Sequence, residues 1–310
     1  MSDSQSHHSF RPLTVATFRL NYALSELEPF GYHVVNVGLH AICSALVVPL
    51  TTVLIPDLTL ALGAGILFAV HPVHTECVAS VVGRAECLMG CLFILGVLSY
   101  TRGAALSHTS WGWLTCSIIF TTLALLTKEQ GITTLPVCVV YDILVLHRPR
   151  IRDGAIFKDG KFVFGVLLRR AVVAAVATIC LLGWRLRLNG AHEASFPIEE
   201  NPTRVDPSLW TRCLTFNFLL PLNLRVLTLG YPLLADYSHS TVPSIATLTD
   251  PRNLVTLAFW LSFVIASVLA VRAWLKTQSG SVWLFCLALA TLTFLPCTNL
   301  FLCPLGLMCV

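Results

Sequence analysis

Charge is what this chain has least of. Only 12% of its 310 residues are acidic or basic, against 55% hydrophobic, and the mean hydropathy is +0.77. A soluble domain averages roughly 25% charged residues, so this composition excludes an ordinary soluble fold and points to a polytopic membrane protein. The formal net charge of +4 is spread along the chain. No basic tract is interleaved with aromatics, which leaves nucleic acid binding without support. Met1 to His8 is polar and carries no apolar core of a cleavable signal peptide, so the first hydrophobic span is expected to act as its own signal. No Asn-x-Ser/Thr acceptor occurs, because Asn201 is followed by Pro202. The 12 cysteines form no CxxC pair and no zinc-ribbon spacing. Cys43, Cys91, Cys116, Cys180 and Cys286 fall within apolar spans and read as small packing residues. No metal and no cofactor is expected. Neither an internal repeat nor a low-complexity segment is found.

What is present is a series of long apolar runs. Asn253–Val271 and Val282–Val310 are free of charge, each long enough for the ~20 residues that a spanning helix needs. The pattern predicts an all-α polytopic membrane protein with about eight spans. They are Gly31–Leu54, Leu58–Val70, Cys87–Tyr100, Trp111–Thr127, Ile132–Leu146, Leu167–Trp184, Asn253–Val271 and Val282–Phe301. The second and third are expected to extend through the weakly polar stretch between them. The predicted organisation is a lumenal or interfacial segment over residues 1–30, a transmembrane bundle over 31–184, a lumenal loop with interfacial amphipathic pieces over 185–252, and C-terminal spans over 253–310.

If all eight segments cross, their connections alternate between two sides. The connection His147–Val166 holds Arg148, Arg150, Arg152, Lys158 and Lys161, with Arg169 and Arg170 just beyond it. The positive-inside rule assigns that side to the cytoplasm. The His71–Glu86 segment, Lys128–Gly131 and the acidic His192–Asp206 stretch then converge on the opposite face.

Ionisable groups at membrane depth are costly, so a cluster of them is a functional-site hypothesis by default. Between Gly65 and Glu86 the chain reads GILFAVHPVHTECVASVVGRAE, with His71, His74, Glu76, Arg84 and Glu86. The spacing is not the zincin His-Glu-x-x-His. Pro72 suits the first turn of a new helix, whose N-terminus would suit a phosphate or carboxylate; an interfacial cap without a ligand is the plainer reading. Glu76 and Arg84 are close to two turns apart at ~3.6 residues per turn and share a face if the helix is continuous. Arg84 then either pairs with Glu76 or holds an anionic phosphate. Lys128-Glu129 is a phosphate contact or a solvated turn. Arg11–Thr14 with Arg19, Asn21 and Tyr22 reads as an amphipathic interfacial segment. Asn217 and Asn223 serve either backbone or a sugar.

Several strings together resemble the transmembrane and tetratricopeptide-repeat (TMTC) O-mannosyltransferases. They are SHHSFRPLTVATFRLNY (Ser6–Tyr22), GYHVVNVGLHA (Gly31–Ala41), FAVHPVHTECVASVVGRAE (Phe68–Glu86), TKEQGIT (Thr127–Thr133) and TRCLTFNFLLPLN (Thr211–Asn223). DPRNL (Asp250–Leu254) and FLPCTNLF (Phe294–Phe301) continue the match in order. The resemblance implies a GT-C glycosyltransferase of the endoplasmic reticulum membrane. Such an enzyme moves mannose from dolichyl phosphate mannose, its lipid donor, to Ser or Thr of lumenal acceptor proteins, cadherins among them. That chemistry needs an acid or base for the hydroxyl proton and cations for the departing phosphate. Arg84 and Lys128 are the candidates for the phosphate; His74 and Glu76 are candidate catalytic residues shaping the pocket.

The family pattern precedes the Ser6–Tyr22 match with a span and an acidic lumenal loop, and continues past Phe301 into further spans and lumenal tetratricopeptide repeats. Neither is seen in this chain, which is expected to be a truncated member. The alternative is a non-catalytic scaffold or pseudoenzyme that pairs with a complete paralogue. A transporter would show inverted repeats with matched broken helices, and none is found.

Overall fold

A computed structural model of the chain describes residues 10–105, 109–148, 160–189, 203, 206–230, 233–234, 241–277 and 279–298. Among these residues every regular element is helical. Arg150, Arg152, Lys158, the side chain of Lys161 and nearly all of the acidic His192–Asp206 stretch lie outside them. The chain divides into two units, one formed by residues 10–185 and 270–293, the other largely by 186–269.

The larger unit starts with α1 (Pro12–Ser25) and α2 (Pro29–Leu54), each with proline in its first turn, where a missing N–H costs nothing. Asp57 caps α3 (Leu58–Val70) by accepting from the Thr59 and Leu60 amides. A short 3-10 turn (Pro72–His74) and α4 (Thr75–Ala79) follow at a 47° bend. Then come α5 (Arg84–Ala104) and α6 (Trp111–Thr127). A 3-10 turn (Glu129–Thr133), α7 (Thr134–Tyr141) and a π-helical turn (Asp142–Leu146) form one run. Next is α8 (Gly160–Asn189), whose first residues belong to this unit. The last helix here is α11 (Ser279–Phe294).

The centre of this unit is α5, packed against α2 and α6. Val97, Tyr100 and Ala104 meet Leu114, Val137, Cys138, Tyr141 and Phe285 in its core. Along α6 the hydroxyls of Thr121, Thr122 and Thr127 donate to the carbonyls one turn back. Such internal bonding lets polar residues sit within an apolar span. Gly131 permits the sharp return after α6: a Cβ there would stand 2.4 Å from the Ala124 carbonyl carbon.

In the second unit α9 (Leu209–Leu229) runs as a continuous helix of 21 residues through Pro221. The sequence suggests a loop with interfacial amphipathic pieces here rather than a span, and α9 is not among the helices apolar enough to cross a membrane. An internal proline removes a single ladder bond, and the remaining ladder carries the helix across it. Asn217 and Asn223 each donate to the carbonyl one turn back, and Asn217 also accepts from the Trp260 indole at 3.1 Å. Of their two readings, these contacts are the backbone one. α10 (Arg252–Lys276) begins at the Asp250 clamp. Asp250 accepts from the Arg252 amide at 2.9 Å, and the Arg252 guanidinium bonds both Asp250 oxygens and the Pro243 carbonyl. The DPRNL string is therefore a helix start.

Among the described residues six helices are long and apolar enough to cross a membrane, and the bent α3–α4 pair makes seven if counted as one span. α6, at 17 residues, is shorter. All eight expected segments are helical over their described residues, so the all-α polytopic class holds.

Candidate functional site

One end of the larger unit gathers the polar motifs. The C-terminus of α3, the N-termini of α2 and α5, the C-terminus of α6 and Arg185 of α8 meet there, with α1 laid across them. The α1 contacts set the order: Arg11 reaches Glu129, the Thr14 hydroxyl donates to the Thr127 carbonyl at 3.1 Å, and the Thr17 carbonyl accepts from Arg84.

Arg84 is fully buried. Its Nε donates to Asn36 Oδ1 at 2.9 Å, Nη1 to the Thr17 carbonyl at 3.2 Å and Nη2 to the Tyr32 carbonyl at 3.1 Å. The guanidinium lies 4.5 Å from the Phe18 ring centre and 5.5 Å from that of Tyr32. Asn36 is itself buried and donates to the Ser80 carbonyl at 2.9 Å. The expected Glu76–Arg84 pairing is therefore corrected. The helix is broken between Ala79 and Arg84, so the two residues lose their common face. Arg84 instead staples α1, α2 and the break, while Glu76 is exposed.

Lys128 is nearly buried and ion-pairs with Glu86 at the start of α5. Its neighbour Glu129 is held between two arginines. Arg11 donates Nη2 to Glu129 Oε2 at 2.9 Å and Nε to Oε1 at 3.4 Å; Arg185 Nη2 takes Oε1 from the other side. Arg185 also donates to the Phe10 carbonyl, and its buried Nε has no hydrogen-bond partner among the described residues. Burying a charge is costly unless it is paired and hydrogen-bonded. Here three cations, Arg11, Lys128 and Arg185, share the two carboxylates of Glu86 and Glu129.

The histidines form a separate patch. His71 closes the new turn as its own cap, its Nδ1 accepting from the Val73 amide at 3.2 Å. His74 packs 4.2 Å from the Phe68 ring centre and 5.1 Å from that of His40, whose Nε2 is 3.1 Å from the Ala69 carbonyl. The structure thus joins Lys128 to Glu86 and Arg84 to Asn36, and sets His74 among aromatic rings. Among the described residues neither His74 nor Glu76 pairs with Arg84 or Lys128.

Sequence reasoning missed Arg185 as a site residue and took Arg11 for an interfacial one. It also missed a second buried cluster at the other end of the unit. Asp142, fully buried, accepts from Tyr100 Oη at 2.7 Å and pairs with Arg170 Nε at 2.9 Å. Arg170 also reaches Asp142 Oδ1 and the Ala104 carbonyl, each at 3.3 Å. The signal available was an acid left inside a predicted span opposite an arginine just inside the next one.

An all-α bundle of apolar helices with buried, mutually paired charges at both ends defines a polytopic membrane protein with a built polar site. The profile of "Protein O-mannosyl-transferase TMTC, DUF1736" matches residues 190–264. The human protein named Protein O-mannosyl-transferase TMTC3 is 36% identical over 315 residues, covering 99% of this chain and 34% of that protein. Xenopus laevis Protein O-mannosyl-transferase tmtc2 is 38% identical over 283 residues, 88% of this chain and 33% of that one. Mus musculus Protein O-mannosyl-transferase TMTC4 is 35% identical over 336 residues, 97% of this chain and 44% of that one. The chain belongs to the TMTC protein O-mannosyl-transferase family. It spans from about a third to less than half the length of these curated relatives. No solved structure matches it.

Proposed function

We propose that this chain forms part of an enzyme that transfers mannose from dolichyl phosphate mannose to Ser or Thr of lumenal proteins, cadherins among them, in the endoplasmic reticulum membrane. The observation that carries this reading is that at one end of the bundle three cations, Arg11, Lys128 and Arg185, share only two carboxylates, Glu86 and Glu129. A site whose charges cancelled would have little attraction for an anion. Surplus cations in a water-poor setting favour a phosphate, and favour it more as negative charge builds up on the departing lipid phosphate. Lys128 is the point contact for the phosphate, held ready by Glu86. Arg84 acts from behind, fixing α1 and α2 around it. His74 and Glu76 shape the acceptor side, where the exposed Glu76 carboxylate is suited to take the hydroxyl proton.

The test is mannosyl transfer from labelled dolichyl phosphate mannose to an acceptor peptide, in membranes carrying the protein. Lys128→Ala and Glu76→Gln should each lower transfer by about 100-fold while membrane insertion continues. Undiminished transfer in both variants would remove these residues from the site. Orientation is tested separately by an acceptor sequon placed near Ser6. Its glycosylation supports a lumenal polar end, and an unmodified sequon in an inserted protein overturns it.

A further inference from the structure

The two carboxylates at the polar end are held differently. Glu129 is locked: its side chain is only 11% exposed, the Arg11 fork meets both of its oxygens, and Arg185 takes Oε1 as well. Glu86 makes one ion pair, to Lys128. The Glu86 side chain is 40% exposed against 11% for that of Lys128, so the lysine lies inside and the carboxylate at the rim. The Lys128 backbone is fixed on both sides: its amide donates to the Ala124 carbonyl at 2.9 Å, and its carbonyl accepts from the Gly131 amide at 3.0 Å. Glu86 stands in the first turn of α5, just past the α4–α5 break.

An ammonium is a compact point charge, and it exchanges a single partner more readily than a guanidinium fork releases a carboxylate. A nearly buried ammonium still cannot stand without an anion, because an unpaired buried charge is costly. Glu86 can therefore leave Lys128 only when another anion takes its place. The phosphodiester of a lipid-linked sugar donor carries a single negative charge, as the carboxylate does. The exchange then leaves the charge of the polar end unchanged. Like charges repel, so the arriving phosphate drives the displaced carboxylate outward, and its departure lets the carboxylate return.

We propose that Glu86 is a placeholder for the phosphate group of the lipid donor. It neutralises Lys128 while the site is empty, is displaced when the phosphate binds, and competes for Lys128 when the phosphate leaves. This rests on the reading of Lys128 as the phosphate contact, and it fixes the sign of the Glu86 effect. Removing a carboxylate that only held Lys128 in position would weaken phosphate binding. Removing a placeholder strengthens it.

The test is thermal unfolding of the full chain in detergent, titrated with inorganic phosphate or with a polyprenyl phosphate, the ionic strength being held constant with chloride. Stabilisation by a ligand depends on its concentration relative to Kd and not on the starting stability, so a lower melting temperature in a variant does not disturb the result. If Glu86 occupies Lys128 about nine-tenths of the time, its removal raises the apparent affinity about tenfold. Glu86→Gln should therefore lower the Kd for polyprenyl phosphate by that factor. Glu86→Asp, which keeps the charge on a shorter stem, should lower it by less. The gain should vanish when Lys128→Met is added to Glu86→Gln. Unchanged or weakened affinity in Glu86→Gln overturns the proposal, and so does a gain that persists without Lys128 or the lack of any response to either phosphate. A gain for inorganic phosphate alone overturns the lipid as the incoming anion. Neither mannose nor an acceptor is present, so a failed exchange and a failed mannosyl transfer are distinguishable.

Discussion

The two ends of the larger unit bury charge in different ways. At one end Asp142 is closed off: Arg170 and Tyr100 occupy both carboxylate oxygens, and Arg170 spends its remaining reach on the Ala104 carbonyl. At the other end Lys128, Arg11 and Arg185 share two carboxylates. The first arrangement matches one arginine to one carboxylate and holds α5, α8 and the π-helical turn together. The second sets three cations against two carboxylates. A π-helical turn supports the closed end, since the His147 amide bonds back to the Asp142 carbonyl at 2.9 Å and so turns Asp142 inward.

The sharpest way to break this contrast is Asp142→Asn. It leaves the Arg170 guanidinium buried without a counter-charge, a loss of about 3–5 kcal/mol. Thermal unfolding in detergent should show it, and adding Arg170→Met should recover most of the loss. At the open end Glu129→Gln makes Arg11 and Arg185 face each other uncompensated. A loss of about 2–3 kcal/mol is expected, and here inorganic phosphate should restore part of it, whereas it should do nothing for Asp142→Asn. Equal phosphate responses at the two ends would erase the distinction between them.

Gly131→Ala tests the turn that positions Lys128 and Glu129. The added methyl meets the Ala124 backbone at 2.4 Å, with an expected cost of about 1–3 kcal/mol and a matching fall in melting temperature. The smallest effect lies outside both ends. Arg252 holds the Asp250 carboxyl below the ordinary aspartate value of 3.8. The clamp therefore contributes above that value and is lost as pH falls through the depressed one. Acid titration below about pH 4 should loosen the start of α10 in the native protein, and Asp250→Asn should remove that pH dependence.

Much of the fold was legible in the sequence because lipid imposes a simple constraint. Backbone groups must bond internally in an apolar medium, so each long uncharged run becomes a helix, and Leu58–Val70 and Trp111–Thr127 end where the composition changes. The alternation of spans also placed the His71–Glu86 and Lys128–Gly131 motifs at one end. Side-chain partners were not legible. Arg84 and Glu76 are separated by a helix break that depends on Gly83 packing against Cys77, a contact that no periodicity encodes. Asn36, the closest partner of Arg84, lies 48 residues away in sequence and looks like any other polar residue in a span. The α9 helix was hidden by Pro221, which carries a breaker signal that one missing ladder bond does not enforce.

By itself, then, the sequence determined the membrane-embedded helical class, the positions of the apolar helices and the family, because these follow from composition, run length and ordered strings of residues. The tertiary structure alone decided which charges meet which partners. Pairing depends on the approach of helices remote in sequence, and the energy of a buried charge depends on distances of a few ångströms that only packing sets.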